Sequence, residues 1–250
     1  MSTGTMRLSP SWRDAVESVT RRLGVATLAG ALLGLAIGGV GGRLAMMLLA
    51  VRSPDATGLT SDDGFTMGQF TVSGTANLLL VTTFIGVLGG GFYLALRDLM
   101  IGPRWFQICT ISIGPAVVVG AIIVHPDGVD FTLLSPLWLA VSLFVLIPAV
   151  YAALLSILTD RWLASSTHPS RPQRALLTAS LLLWVPLAPI LAVGALGWLA
   201  AELVRRNTGQ DILRSNPLLA WIPRSGLALL FLAALAVVGH DVGDGGRVSR

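Results

Sequence analysis

Six stretches of this chain run for twenty residues or more with almost no charge, and that pattern constrains the fold before anything else does. They are residues 23–51, 77–96, 105–124, 136–159, 175–204 and 218–239. An α-helix rises about 1.5 Å per residue, so roughly 20 apolar residues cover a hydrocarbon core about 30 Å thick. Lipid offers backbone N–H and C=O groups no partner, so such runs must satisfy themselves as helices. The expected fold is all-α, a polytopic transmembrane helical bundle of six spans. A single transmembrane domain then occupies residues 23–240, between tails at 1–22 and 241–250. The first run is too long and too glycine-rich for a secretory leader, so it is expected to remain as a span. Ahead of it, Trp12, Val16, Val19 and Leu23 share one helical face, the pattern of a short helix lying along the membrane surface.

Composition supports the membrane reading and removes several chemistries. Apolar residues make up 54% of the chain and charged residues 12%, with a mean hydropathy of +0.77. All 17 basic side chains are arginine, so no lysine is present for a Schiff base or a phosphate-binding P-loop. The single Cys109 excludes an internal disulfide, a CxxC redox pair and a cysteine-rich zinc cluster, and inside the third run it is expected to be a small buried hydrophobe. The three histidines stand far apart, no serine sits in a GxSxG elbow, and nothing resembles a nucleic-acid-binding motif. The sequence therefore carries no enzyme signature, no metal set and no cofactor site.

Arginine placement orients the bundle. With the N-terminus inside and six spans, the cytoplasmic side collects Arg7, Arg13, Arg21, Arg22, Arg97, Arg104, Arg161, Arg171, Arg174, Arg247 and Arg250, against Arg52, Arg205, Arg206 and Arg214 outside. An alternative has five spans plus a re-entrant hairpin folded at Pro186/Pro189, which moves the Arg205–Arg214 cluster inside and the C-terminal pair outside. The count fits both. Arg97 and Asp98, adjacent at the end of the second run, are expected to pair at the interface. Trp138, Trp162, Trp198 and Trp221 fall near span ends as an aromatic belt requires, whereas Trp184 lies within the fifth run.

The clearest packing motif is a glycine ladder. Gly30, Gly34, Gly38 and Gly42 recur at four-residue steps, which places them along one helix face, and Gly86 and Gly90 repeat the spacing in the second run. Small residues let helix backbones approach closely, so the two runs are expected to pack on each other, or the face to dock a partner membrane helix or a second copy of the chain.

Arginine inside a span is costly and is expected to face protein, water or a ligand. Arg43 lies in the first run and Arg224 in the sixth, both toward the outer side in the N-in topology, below loops holding Asp62, Asp63, Asp127 and Asp130. These six residues are candidates for an outward-facing polar vestibule. Snorkelling of both arginines, or ion pairing with the aspartates, is the structural alternative.

The stretch Gly41-Gly42-Arg43-Leu44-Ala45-Met46-Met47, with Asp62-Asp63-Gly64-Phe65-Thr66-Met67-Gly68 and Gly89-Gly90-Gly91-Phe92-Tyr93, resembles a group of uncharacterised multi-pass membrane proteins of actinobacteria. The resemblance covers about the first 100 residues. It implies a bacterial cytoplasmic membrane location and carries no activity. Two functions stay open: a non-catalytic membrane subunit or scaffold, with the lipid bilayer and a partner helix as its surroundings, and a small carrier or channel for an anionic or amphiphilic solute.

Overall fold

The computed structural model describes residues 12–53, 58, 70–123, 137–165 and 170–188, together with 225, 226, 229, 231–233 and 236. Among these residues the chain is all-helical, without a strand. Helix α1 (Trp12–Leu33) passes through a π-helical segment, Gly34–Gly41, directly into α2 (Gly42–Arg52). After it come α3 (Val72–Arg97), α4 (Arg104–Ile123), α5 (Leu137–Ser165) and α6 (Arg171–Ser180), the last tightening into a 3₁₀ segment at Leu181–Leu187, and the described residues within 225–236 are also helical. Among the described residues three helices are long and apolar enough to cross a membrane, namely Val16–Arg52, Val72–Arg97 and Trp138–Ser165, and Arg104–Val119 is a shorter apolar helix.

Local chemistry explains where several of these helices begin and end. Thr71 caps α3 by accepting from the Gly74 N–H at 3.3 Å, and its carbonyl accepts the Thr75 hydroxyl at 2.8 Å. After Arg97 the chain turns tightly, with Gly102 at φ +88°, a conformation that favours glycine, before Pro103 and the start of α4. At α6 the Ser170 N–H donates to Gln173 Oε1 at 2.9 Å, one arm of a capping box. Several hydroxyls within the apolar helices are satisfied locally, whereas the buried Thr159 Oγ1 has no hydrogen-bond partner. Thr82, Thr83, Thr110 and Ser112 each donate to the carbonyl four residues back, at 2.6–2.9 Å, so they leave no bare polar atom toward lipid.

Residues 12–22, expected as a short helix of their own, form the first three turns of α1, because nothing between Arg22 and Leu23 interrupts the helix. Cys109 is exposed, not buried, since α4 packs mainly on α5 and its outer face is left uncovered.

Contacts fix the relative directions of the helices. Gly30 of α1 meets Gly86 of α3, and Ala26 meets Gly90, so rising numbers on one match falling numbers on the other and the pair is antiparallel. Arg104 at the start of α4 reaches Ser156 near the end of α5, which makes that pair antiparallel too. Helix α6 runs parallel to α1, with Arg174 beside Glu17, Ser180 against Gly24 and Trp184 against Thr27. The starts of α1, α4 and α6 and the ends of α3 and α5 therefore share one face of the bundle. Among the described residues the core between them includes two clusters. One is Ala29, Tyr93, Ile111 and Leu155, which joins α1, α3, α4 and α5; the other is Ala31, Val87 and Leu187, which joins α1, α3 and the 3₁₀ segment.

Candidate functional site

Among the described residues, side-chain polarity concentrates at that shared face. Asp160 lies on α5, five residues before its end, and receives three donors from two other helices. Tyr93 of α3 donates its hydroxyl to Oδ1 at 3.1 Å, Arg97 of α3 lies 3.3 Å from the same oxygen, and Arg104 of α4 sits 2.5 Å from Oδ2. Arg104 Nη2 also donates to the Ser156 carbonyl at 2.9 Å and lies 3.4 Å from its hydroxyl. Tyr93 is almost fully buried, whereas the two arginines keep 37% and 40% of their side-chain surface and Asp160 keeps 25%. One carboxylate thus joins α3, α4 and α5 where they meet the surface.

The expected Arg97–Asp98 pair does not form its bridge here; Arg97 reaches Asp160 instead. Neighbours one residue apart on a helix point about 100° away from each other and cannot share a face. Asp160 escapes notice in the sequence because it stands one residue beyond the fourth apolar run. A signal is nevertheless present. Tyr93 and Arg97 are four residues apart, as are Ser156 and Asp160, so each pair occupies one helix face at a span end.

The glycine ladder forms a seam within the chain. A β-carbon at Gly30 would overlap the Gly86 carbonyl oxygen, one at Gly34 the Thr82 carbonyl oxygen, and one at Gly90 the Ala26 carbonyl oxygen. Gly38 abuts the Thr82 side chain, with 3.0 Å between its β-position and Thr82 Cβ. Gly42 leaves the seam and has nothing within 4 Å of its β-position. The reason is rotational: a four-residue step advances about 40° beyond a full α-helical turn, and the π segment with its i→i+5 bonding changes that phase again.

Around this seam, aromatic side chains supply directed hydrogen bonds. Tyr151 of α5 donates its hydroxyl to the Gly86 carbonyl at 2.7 Å. Trp184 donates its indole N–H to Thr27 Oγ1 at 2.8 Å, and Thr27 donates its own hydroxyl to the Leu23 carbonyl at 2.7 Å. The six-membered ring of Trp184 rests on Gly91. Trp184 is thus an internal anchor between α6 and α1, which is why its position did not suit an aromatic belt.

Arg43 lies one residue into α2 and is half-buried. The other five residues of the expected vestibule, Arg224, Asp62, Asp63, Asp127 and Asp130, lie outside the described residues. Among the described residues, no group of three His, Cys, Asp or Glu side chains could hold a metal ion. An apolar groove of about 300 Å³ runs between the π segment, α2 and α5, lined by Ile37, Gly41, Leu44, Leu143, Leu146 and Ile147. Comparison with protein-family models, curated proteins and solved structures finds no match to this chain.

Proposed function

We propose that this protein is a non-catalytic membrane subunit or scaffold, a six-span bundle of the bacterial cytoplasmic membrane with its N-terminus inside. The observation that carries the reading is the seam of Gly30, Gly34, Gly86 and Gly90, where backbone meets backbone and no room is left for a solute between α1 and α3. Trp184, Tyr151 and Asp160 bind further helices to that pair. Groups of this kind hold a framework rigid, and none has the geometry of a nucleophile beside a base. Since α3 fills the glycine face, a partner helix would dock elsewhere, and the open apolar flank of α2 is the available surface.

The alternation of the described helices suits a six-span bundle, and the arginine count fits the N-in orientation; the re-entrant arrangement at Pro186/Pro189 fits the same helices and the same count and is separated from six spans by labelling. The 3₁₀ tightening at Leu181–Leu187 falls at the proline-rich part of the fifth run, whose remainder lies outside the described residues. Cysteines placed one at a time at positions 54, 128, 168, 210 and 245 in a C109A background test this. Outer labelling at 54, 128 and 210 with protection at 168 and 245 is expected; protection at 210 with labelling at 245 would select the re-entrant form.

The second reading is a small carrier or channel for an anionic or amphiphilic solute, and the half-buried Arg43 favours it. Efflux of anionic dyes from vesicles containing the purified protein separates the two. The scaffold reading expects leakage equal to protein-free vesicles, and efflux that R43A abolishes would replace it with the carrier.

A further inference from the structure

The Asp160 cluster carries more positive charge than its carboxylate neutralises. Arg97 and Arg104 each meet the cluster through one terminal nitrogen, Nη2, which faces Asp160 and, for Arg104, also Ser156. Each guanidinium has five N–H donors in a planar fork, so these contacts use a minority of the donors on two groups more than one third exposed. Arg161, exposed on the next residue of α5, and Asp98, exposed at the end of α3, carry opposite charges, so the excess positive charge is that of Arg97 and Arg104 over Asp160.

The location adds a second argument. Trp105 is 67% exposed beside Arg104 and meets Phe106 edge-to-face at a centroid distance of 5.8 Å, an aromatic pair at the end of an apolar helix, a position where indoles favour a membrane surface. The positive end of the α4 dipole opens on the same side. Two arginine forks that share one carboxylate and keep more than a third of their side-chain surface exposed suit a tetrahedral dianion or monoanion whose oxygens accept two N–H bonds at a time.

We propose that Arg97 and Arg104 form a binding site for a phosphate group, supplied by an anionic phospholipid headgroup or by free phosphate. Asp160 is a positioning residue: it holds the two guanidiniums by Nη2 and turns their remaining donors toward the ligand. The site rests on this face lying at a membrane surface and is independent of the scaffold reading, so dye efflux and phosphate binding can fail separately.

The test is native mass spectrometry of the full-length protein in neutral detergent, with phosphatidylglycerol and phosphatidylcholine offered in equal amounts. Wild type is expected to retain phosphatidylglycerol at least about tenfold better, the scale of a lost charge-assisted hydrogen-bond pair. R97Q/R104Q should lose that preference and R161Q should keep it. Because the same arginines hold Asp160, R97K/R104K carries the test if the glutamine variant does not fold; it retains both charges, loses the planar forks, and should weaken retention by about threefold or more. Displacement of the lipid by inorganic phosphate identifies the bare anion as ligand, and retention through a phosphate excess identifies the lipid headgroup; either supports the site. Equal retention of the two lipids by wild type, a loss in R161Q as large as in R97Q/R104Q, or wild-type retention in R97K/R104K would overturn it.

Discussion

The two halves of the first long helix are similar in apolarity and opposite in fate. In α1, Val25, Ala26 and Ala29 are buried to 1% or less, against α3, α5 and α6. In α2, Leu44, Met47 and Val51 stand 62%, 54% and 77% exposed, and Leu44 lines the apolar groove. Hydrophobicity does not separate them, because lipid is as apolar as leucine and gives no drive toward burial. What separates them is close approach. The buried half has glycine and alanine where a neighbouring backbone lies, and it has Thr27, whose hydroxyl receives a partner's indole N–H. The exposed half offers long side chains and few groups to pair. In this bundle the small and the polar residues choose the partners, and the large apolar ones fill what is left.

The strongest way to break that contrast is to put bulk into the seam. Gly30→Leu or Gly86→Leu sets a side chain on an opposing carbonyl oxygen, where backbone must move, and is expected to cost about 3 kcal/mol or more. For a chain of this length that lowers the melting temperature by about 6–12 °C, readable by thermal aggregation in detergent. An unchanged melting temperature would show that α1 and α3 do not touch through this face.

Removing Asp160 is next. Asp160→Ala leaves Tyr93 and Arg97 without the acceptor they share and Arg104 with only Ser156, and partial exposure of the arginines limits the loss to about 1–2 kcal/mol. The effect should shrink in high salt, which a steric defect would not. Third, Trp184→Phe and Thr27→Val, combined in a double-mutant cycle, should couple by about 0.6–1.7 kcal/mol, the range of hydrogen bonds between membrane helices. A coupling near zero would detach the 3₁₀ segment from α1.

The smallest effects sharpen the same comparison from its open side. Gly42→Ala meets nothing within 4 Å and removes a helix-interior glycine, so it should stabilise by about 0.5–1 kcal/mol. Gly42 shares the four-residue spacing of Gly30 and should respond in the opposite direction. Glu17→Gln, which breaks an exposed pair 3.3 Å from Arg174, should change stability by less than about 0.5 kcal/mol.

Much of the candidate site is half visible in the sequence. The glycine spacing in the first two runs points to mutual packing, since four-residue steps recur on one helix face. It cannot say that Gly42 drops out, because that depends on a π segment whose extra turn width leaves no trace in residue spacing. Arg97 and Arg104 are placed on one side by their positions at span ends. Their acceptor Asp160 lies 67 residues from Tyr93 and 56 from Arg104, beyond the reach of any local pattern.

The sequence by itself determined that the chain is helical and which stretches are apolar enough for lipid, since a backbone denied water must bond within its own segment and about 20 residues match the bilayer. Only the tertiary structure decided which helix meets which, that Trp184 turns inward to Thr27, and that one carboxylate gathers two arginines from different helices. The physical reason is the solvent. In a medium where every greasy face is equally content, helix partners are selected by shape and by donors meeting acceptors, and both exist only once the helices are side by side.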